Sequence, residues 1–305
     1  MDGGKAGARA PVRSRWFVSL AAVAGALVGG ALAWSGSNSR PVSSDQAPTR
    51  VVSTAPAVTE ILFAVGAAGQ VVGIDDFSNY PPEARQLPSI GAYYPLNVES
   101  ILALKPDLVV AMGEQAEWTA QLEPLGVKVL LIDLRTIEDV QAAIVVVGEA
   151  TGHREEALEL AGSIRERIAA VERKVATIPR DERVRVFYEV YSDPLMTAGP
   201  DCLIGQMVAA AGGLSVSADA TQDYPTISAE EVIDRDPQVI VFPDVHGTVA
   251  ADVASVGSRP GWASIAAVRD GRIYAVDPDL FSRAGPRVAE AVETLARLLY
   301  PEVFR

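Results

Sequence analysis

From Arg50 onward, short apolar runs alternate with stretches of helical periodicity. Residues 50–55, 70–75, 107–112 and 128–133 are rich in Val, Ile and Leu on both faces, the mark of buried parallel strands. Between them, residues 59–67, 98–105 and 137–150 carry apolar positions at helical spacing. The second half repeats the style. Strands are predicted at 184–190, 238–244 and 272–277, with helices around 201–211, 228–236 and 286–299. The alternation predicts an α/β fold.

One long helical pattern separates the halves. Leu158, Ala161, Ile164, Ile168, Val171 and Val175 recur along residues 152–178, with Gly162 the only weak point. About 25 residues at 1.5 Å each give a rod of roughly 35 Å. The pattern therefore predicts an N-terminal lobe at 50–151, a stiff linking helix at 152–178 and a C-terminal lobe at 179–305.

The halves also echo each other. Asn97-Val98-Glu99-Ser100-Ile101-Leu102 precedes Lys105-Pro106-Asp107 and an apolar strand. Ser228-Ala229-Glu230-Glu231-Val232-Ile233 precedes Asp236-Pro237-Gln238 and another. A constant offset of 131 relates them and places Tyr93 on Tyr224. The echo predicts a pseudo-symmetric pair of lobes. Glu99 and Glu230 fall in the first turns of matching helices, where an acid is favoured by about 0.3–1 kcal/mol. Ser228 and Glu231 have capping-box spacing.

The first 49 residues read differently. Lys5, Arg9, Arg13 and Arg15 form a basic head, and Trp16–Trp34 carries no charge. Such a segment directs export. Ala31-Leu32-Ala33 offers a cleavage site, but the apolar run approaches the ~20 residues of a membrane span. A retained anchor at 1–34 is favoured over a cleaved signal peptide, with residues 35–49 as a flexible linker. No cysteine follows the run to carry a lipid.

Composition narrows the chemistry. The chain has 305 residues, 26 Lys+Arg against 39 Asp+Glu, and a formal charge of −13, which argues against nucleic acid. Cys202 alone excludes a disulfide framework. His153 and His246 are too few for a three-histidine zinc site, although His246, in a strand-end loop, is a lesser candidate for a metal or haem contact. No GxSxG or Walker-type loop appears, and no catalytic set is expected. Cys202 follows Asp201 at a predicted helix start, where the dipole would mildly favour a thiolate.

Ligands of open α/β sheets bind beyond the carboxyl ends of strands. Tyr80, Tyr93, Tyr94, Tyr191 and Tyr224 lie in predicted loops there; Tyr188 ends a strand, and Trp118 and Phe281 lie beyond strand ends. Flat faces with polar tips suit a large ligand of mixed polarity. Asp279 and Arg283 share one short loop, as a ligand-binding pair or as partners of each other.

Three segments carry a resemblance. They are Arg50-Val51-Val52-Ser53-Thr54-Ala55-Pro56-Ala57-Val58-Thr59-Glu60, then Asn79-Tyr80-Pro81-Pro82-Glu83-Ala84, then Asn97-x-Glu99 with Ala103-Leu104-Lys105-Pro106-Asp107. With the loop Asp279-x-Phe281-x-Arg283-Ala284-x-Pro286-Arg287, residues 50–305 resemble the cobalamin-binding proteins of ABC importers. These belong to the periplasmic binding protein group that also takes up siderophores and haem. The resemblance implies two Rossmann-like lobes on a helical backbone, an extracytoplasmic location and a corrinoid (cobalamin or cobinamide) held between the lobes. It implies ligand contacts at Tyr80, Tyr93, Tyr188, Tyr224, Asp279, Phe281 and Arg283, and docking of Glu99 and Glu230 onto arginines of a permease. It implies no catalysis, resident cofactor or metal. Tyr93 and Tyr224 stand where the best-known members carry Trp. A ferric siderophore or haem is the alternative ligand; an anchored sensor or scavenger without a permease is the alternative role. Anionic siderophores would favour several cleft cations, and the predicted loops hold Arg85, Arg283 and Arg287.

Overall fold

The computed structural model describes residues 47–244 and 253–304. The export segment, most of the linker before Arg50 and His246 lie outside the described residues. No described helix is long and apolar enough to cross a membrane.

Two sheets carry the fold. The first contains β1 (Val51–Ser53), β2 (Val71–Gly73), β3 (Leu108–Met112) and β4 (Lys128–Ile132), all parallel, in the order β2-β1-β3-β4. The second contains β5 (Arg185–Ser192), β6 (Leu195–Thr197), β7 (Leu214–Ser215), β8 (Val239–Pro243) and β9 (Ile273–Val276). There β5 pairs in parallel with β7 through its first residues and antiparallel with β6 through its last. The parallel part, β7-β5-β8-β9, has the same order as the first sheet. β6 and β7 escape the sequence pattern because two or three residues show no periodicity.

The strands are buried as their composition requires. Val51, Val52, Val109, Val110 and Ala111 in the first sheet, and Val239, Ile240 and Val241 in the second, are fully enclosed. Covering helices on both faces leave no solvent side to be polar. β4 lies at an edge and accordingly exposes Lys128 and Leu131.

The principal helices are α1 (Pro56–Ala64), α2 (Val98–Ala103), α3 (Ile137–Thr151), α4 (Arg154–Val175), α5 (Leu203–Ala210), α6 (Ala229–Arg235) and α7 (Val288–Leu299). α1 begins at Pro56, three residues before its predicted start, because proline suits the first helical position, where no N–H bond is lost. α4 lies between the two sheets in sequence and is one unbroken helix of 22 residues, roughly 33 Å long. Glu155 and Glu156 in its first turn and Arg173 and Lys174 in its last complement its dipole. Its buried stripe starts at Ala157; Leu158 turns outward and is 44% exposed. The stripe packs against α3, α5 and α7 in one continuous core that contains residues of both sheets. Arg167 on α4 grips Glu293 on α7 through two hydrogen bonds of 2.8 Å.

The 131-residue echo is structural. Asn97 caps α2 by accepting from the Ser100 N–H, and Ser228 caps α6 by accepting from the Glu231 N–H. The strands that follow, β3 and β8, each sit second from the edge formed by β4 or β9. The capping box at Ser228 is only half formed, because the Glu231 carboxylate pairs with Arg235 instead of returning to the backbone.

Candidate functional site

A cavity of about 270 Å³ opens beyond the strand ends, between the two halves. From the first half it is lined by the turn that ends β1 and starts α1, by Tyr93, and by Met112 and Glu114 after β3. From the second half come Leu203 and Ile204 at the start of α5, Tyr224, and Ser282, Arg283 and Ala284 after β9.

Tyr93 and Tyr224, the pair related by the echo, face this one cavity. Tyr93 is held at both ends. Its hydroxyl donates to the Glu114 carboxylate, and its carbonyl accepts from Gln115 Nε2 at 3.0 Å. Gln115 is fully buried and also accepts from Thr54 Oγ1 at 2.6 Å and the Met112 N–H at 3.0 Å. It thereby ties the ends of β1 and β3 to the tyrosine. Burial, with the hydrogen bond to Glu114 second and the Glu114 charge third, pushes the Tyr93 phenol well above its ordinary range. Burial pushes Tyr224 up to about 12, with Cys202 beside it adding to the shift. Both phenols stay neutral near pH 7 and offer a flat face with a donor tip.

Tyr188 and Phe281 were expected to touch the ligand, but the structure seals them beneath the wall, 2% and 1% exposed. Tyr188 points into the core from β5. Burial raises its phenol, and Ser282 lies alongside without closing a well-formed hydrogen bond. The period-2 alternation of a strand carried Tyr188 inward, and Phe281 anchors the short turn that presents Ser282 and Arg283.

Tyr80, Asp279 and Arg283 do come together, as parts of a charged contact between the halves. Arg283 pairs with Asp279 at 2.6 Å, the mutual pairing that the sequence left open. Its Nη1 donates to Asn79 Oδ1 at 2.6 Å, and Asn79 Nδ2 donates to Asp279 Oδ2 at 2.8 Å. Arg287 stacks over the Tyr80 ring at 4.1 Å. Behind them sits Glu60 of α1, 2% exposed, which accepts from Arg287 at 2.7 and 2.9 Å and from Arg283 at 3.4 Å. Burial pulls the Arg287 pKa down, but Glu60 outweighs it and the net shift is upward. Glu60 and Asn79 stand in the segments that carry the resemblance but, like Glu114 and Gln115, had no site role assigned from the sequence. Glu60 had left a signal, a lone acid inside the otherwise buried run Ala57–Leu62, because a buried charge needs a partner.

Other candidates lie elsewhere. Tyr94 packs edge-on against Trp118, centroids 4.7 Å apart, at the exposed rim. Glu99 and Glu230 are exposed in the first turns of α2 and α6, and among the described residues neither has an ion-pair partner. Cys202 is buried with its Sγ 3.3 Å from the Gly199 carbonyl, and burial raises its pKa, contrary to the favoured thiolate expected from the helix start. His153 holds the cap position of α4 without a side-chain bond to it. Among the described residues no cluster of three or more His, Cys, Asp or Glu can hold a metal.

Comparison with known proteins gives a consistent picture. A family model described as "Periplasmic binding protein" matches residues 51–280. An uncharacterized ABC transporter substrate-binding lipoprotein, YvrC of Bacillus subtilis, is 34% identical over 88% of this chain and 85% of its own. A vitamin B12-binding protein of Pectobacterium carotovorum is 31% identical over 83% of this chain and 88% of its own. The solved periplasmic heme-binding protein RhuT of Roseiflexus sp. RS-1 superposes with a TM-score of 0.74 at 31% identity, covering 83% of this chain and 98% of that one.

Proposed function

The chain belongs to the periplasmic binding protein family, and from that premise we propose that it captures a corrinoid, cobalamin or cobinamide, between its lobes and delivers it to an ABC importer. The coarser role, an extracytoplasmic substrate-binding protein of the ABC importer type, is that of the family itself.

The observation that carries the ligand assignment is the pairing of the cleft arginines. Arg283 and Arg287 face Glu60 and Asp279. Arg135, on the first half, pairs with Asp223 on the second at 2.6 Å. Arg85 donates to the Asn79 carbonyl at 3.3 Å. An anionic ligand therefore finds Arg135, Arg283 and Arg287 already paired with carboxylates and, of these four, only the exposed Arg85 without an ion-pair partner among the described residues, while a neutral ligand with an amide rim meets phenols and carboxylates that hydrogen-bond. The 270 Å³ cavity is near the lower end for drug-sized ligands. A corrinoid would place one edge in it and lie across the mouth, against the exposed rings of Tyr80, Tyr94 and Tyr224.

The likeness to a named heme-binding protein supports a second reading, haem or a ferric siderophore in the same cleft. Calorimetric and difference-absorption titrations with cyanocobalamin, cobinamide, haemin and a ferric siderophore separate them. Saturable one-to-one binding of cyanocobalamin or cobinamide is expected. Binding of haemin or the iron chelate alone overturns the corrinoid assignment.

A further inference from the structure

The contact behind the cavity wall is a charge group, with Asp75 acting on Arg283 and Asp277 on Arg287 from beside it. Glu60 and Asp279 supply two carboxylates, and Arg283 and Arg287 two guanidiniums. The Glu60 side chain is 1% exposed and those of the arginines 13% and 17%. Each arginine is further tied to the first half, Arg283 through Asn79 and the Phe77 carbonyl, Arg287 through the Tyr80 ring. The fit is close. A Cβ added at Gly285 would lie 3.1 Å from Glu60 Oε2, so the loop backbone runs directly over the carboxylate. Water cannot screen a charge imbalance at such depth as it does at the surface. Arg283 belongs both to this group and to the cavity wall. Any imbalance therefore reaches the ligand.

We propose that Glu60 determines specificity at a distance: by neutralising Arg283 and Arg287 behind the wall, it leaves the cleft without net positive charge, so that a neutral ligand is accepted and a carboxylate-bearing macrocycle is disfavoured. The proposal rests on the corrinoid reading of the cleft. Glu60 touches no cavity surface itself and acts through the two arginines as a positioning and neutralising residue.

The test is a ratio of affinities in the full chain. Cyanocobalamin serves as the neutral probe and haemin, with its two propionates, as the anionic one. Glu60→Gln removes one negative charge from against the two arginines and should raise the haemin-to-cyanocobalamin affinity ratio by about tenfold, the scale of one close charge interaction in a partly buried site. Arg287→Gln leaves a negative excess and should lower the ratio. The double variant Glu60→Gln/Arg287→Gln restores balance and should return it to near the wild-type value. If Glu60→Gln does not fold, Arg287→Gln and the double variant decide the matter. Parallel loss of both probes, or an unchanged ratio in Arg287→Gln, overturns the proposal and leaves Glu60 with an architectural role. Wild-type binding of haemin without cyanocobalamin overturns the corrinoid reading instead. The charge proposal then stands or falls on whether haemin binds tighter to Glu60→Gln and weaker to Arg287→Gln.

Discussion

Lys105 and Asp236, 131 residues apart, adopt the same left-handed backbone, with φ of 48° and 42°. Among the described residues they are the only non-glycine positions with positive φ. Each ends a helix and turns the chain into a buried strand, β3 or β8. An arginine at or just before the start of the neighbouring strand locks each turn. Arg50 donates to the Leu104 and Lys105 carbonyls, and Arg185 donates to the Asp236 carbonyl. Asp107 and Gln238 then accept from the Arg50 and Arg185 N–H groups, each at 3.0 Å. The two lobes thus repeat one helix-to-strand corner down to its hydrogen bonds.

That likeness predicts unlike outcomes for one substitution. Lys105 is exposed and contributes only its backbone, so Lys105→Gly removes left-handed strain and should stabilise by up to about 1 kcal/mol. The Asp236 carboxylate accepts from the Ala266 N–H at 2.8 Å and pairs with Arg185, so Asp236→Gly should destabilise. Urea unfolding of both variants checks this; the same sign for both would refute it.

Asp107 ties the start of the described chain to the first corner. Burial is the largest single influence and raises its pKa, but the Thr49 and Arg50 N–H groups and the Thr49 hydroxyl together outweigh it, and the net shift is below the ordinary 3.8. A depressed carboxylate stabilises the fold above pH 3.8 and loses that contribution as pH falls through its folded value. The stability difference between wild type and Asp107→Asn should be constant from pH 7 down to about pH 4 and shrink below it. Urea midpoints across that range give the answer, and a difference independent of pH would be inconsistent with the linkage.

Tyr93→Ala and Tyr224→Ala should each weaken corrinoid binding by about 1–3 kcal/mol, the scale of a lost aromatic wall, with little change in unfolding temperature. Tyr188→Ala should do the reverse, lowering the unfolding temperature because it opens a cavity in the core. Titration and thermal unfolding of the three variants separate wall from foundation. Normal binding by both Tyr93 and Tyr224 variants would reduce the echo to architecture.

Gly162 lies exposed in the middle of α4, and a Cβ there meets nothing within 4 Å. Gly162→Ala should therefore stabilise by about 0.5–1 kcal/mol through helix propensity alone. Denaturant unfolding measures it, and a loss of stability would mean that the linking helix needs that flexibility.

Glu99 and Glu230 present one exposed acid from each lobe. If they dock onto permease arginines, replacement by Lys should abolish corrinoid uptake while leaving ligand affinity unchanged, with the double variant worse than either single one. Uptake of labelled corrinoid in cells with matched protein levels is the measurement. Normal uptake by the double variant would favour an anchored sensor or scavenger.

The sequence by itself determined the elements that depend on neighbours along the chain. Strands buried on both faces are rich in apolar residues, so β1, β3, β8 and the Val186–Tyr188 stretch of β5 announce themselves in composition. A 3.6-residue period needs only one helix to be visible, so α4 and the cap at Ser228 were legible, as was the pairing of Tyr93 with Tyr224; the matching cap at Asn97 emerged only in the structure. Only the tertiary structure decided which side chains form walls. Tyr188 and Tyr93 both lie at or beyond predicted strand ends, but one is sealed into the core from β5 and the other rides a loop held by Glu114 and Gln115. Likewise Glu60 and Arg287 are 227 residues apart. No periodicity encodes such a contact; the folding of both sheets against α4 brings the charges together, and their burial in a low dielectric makes the pairing matter.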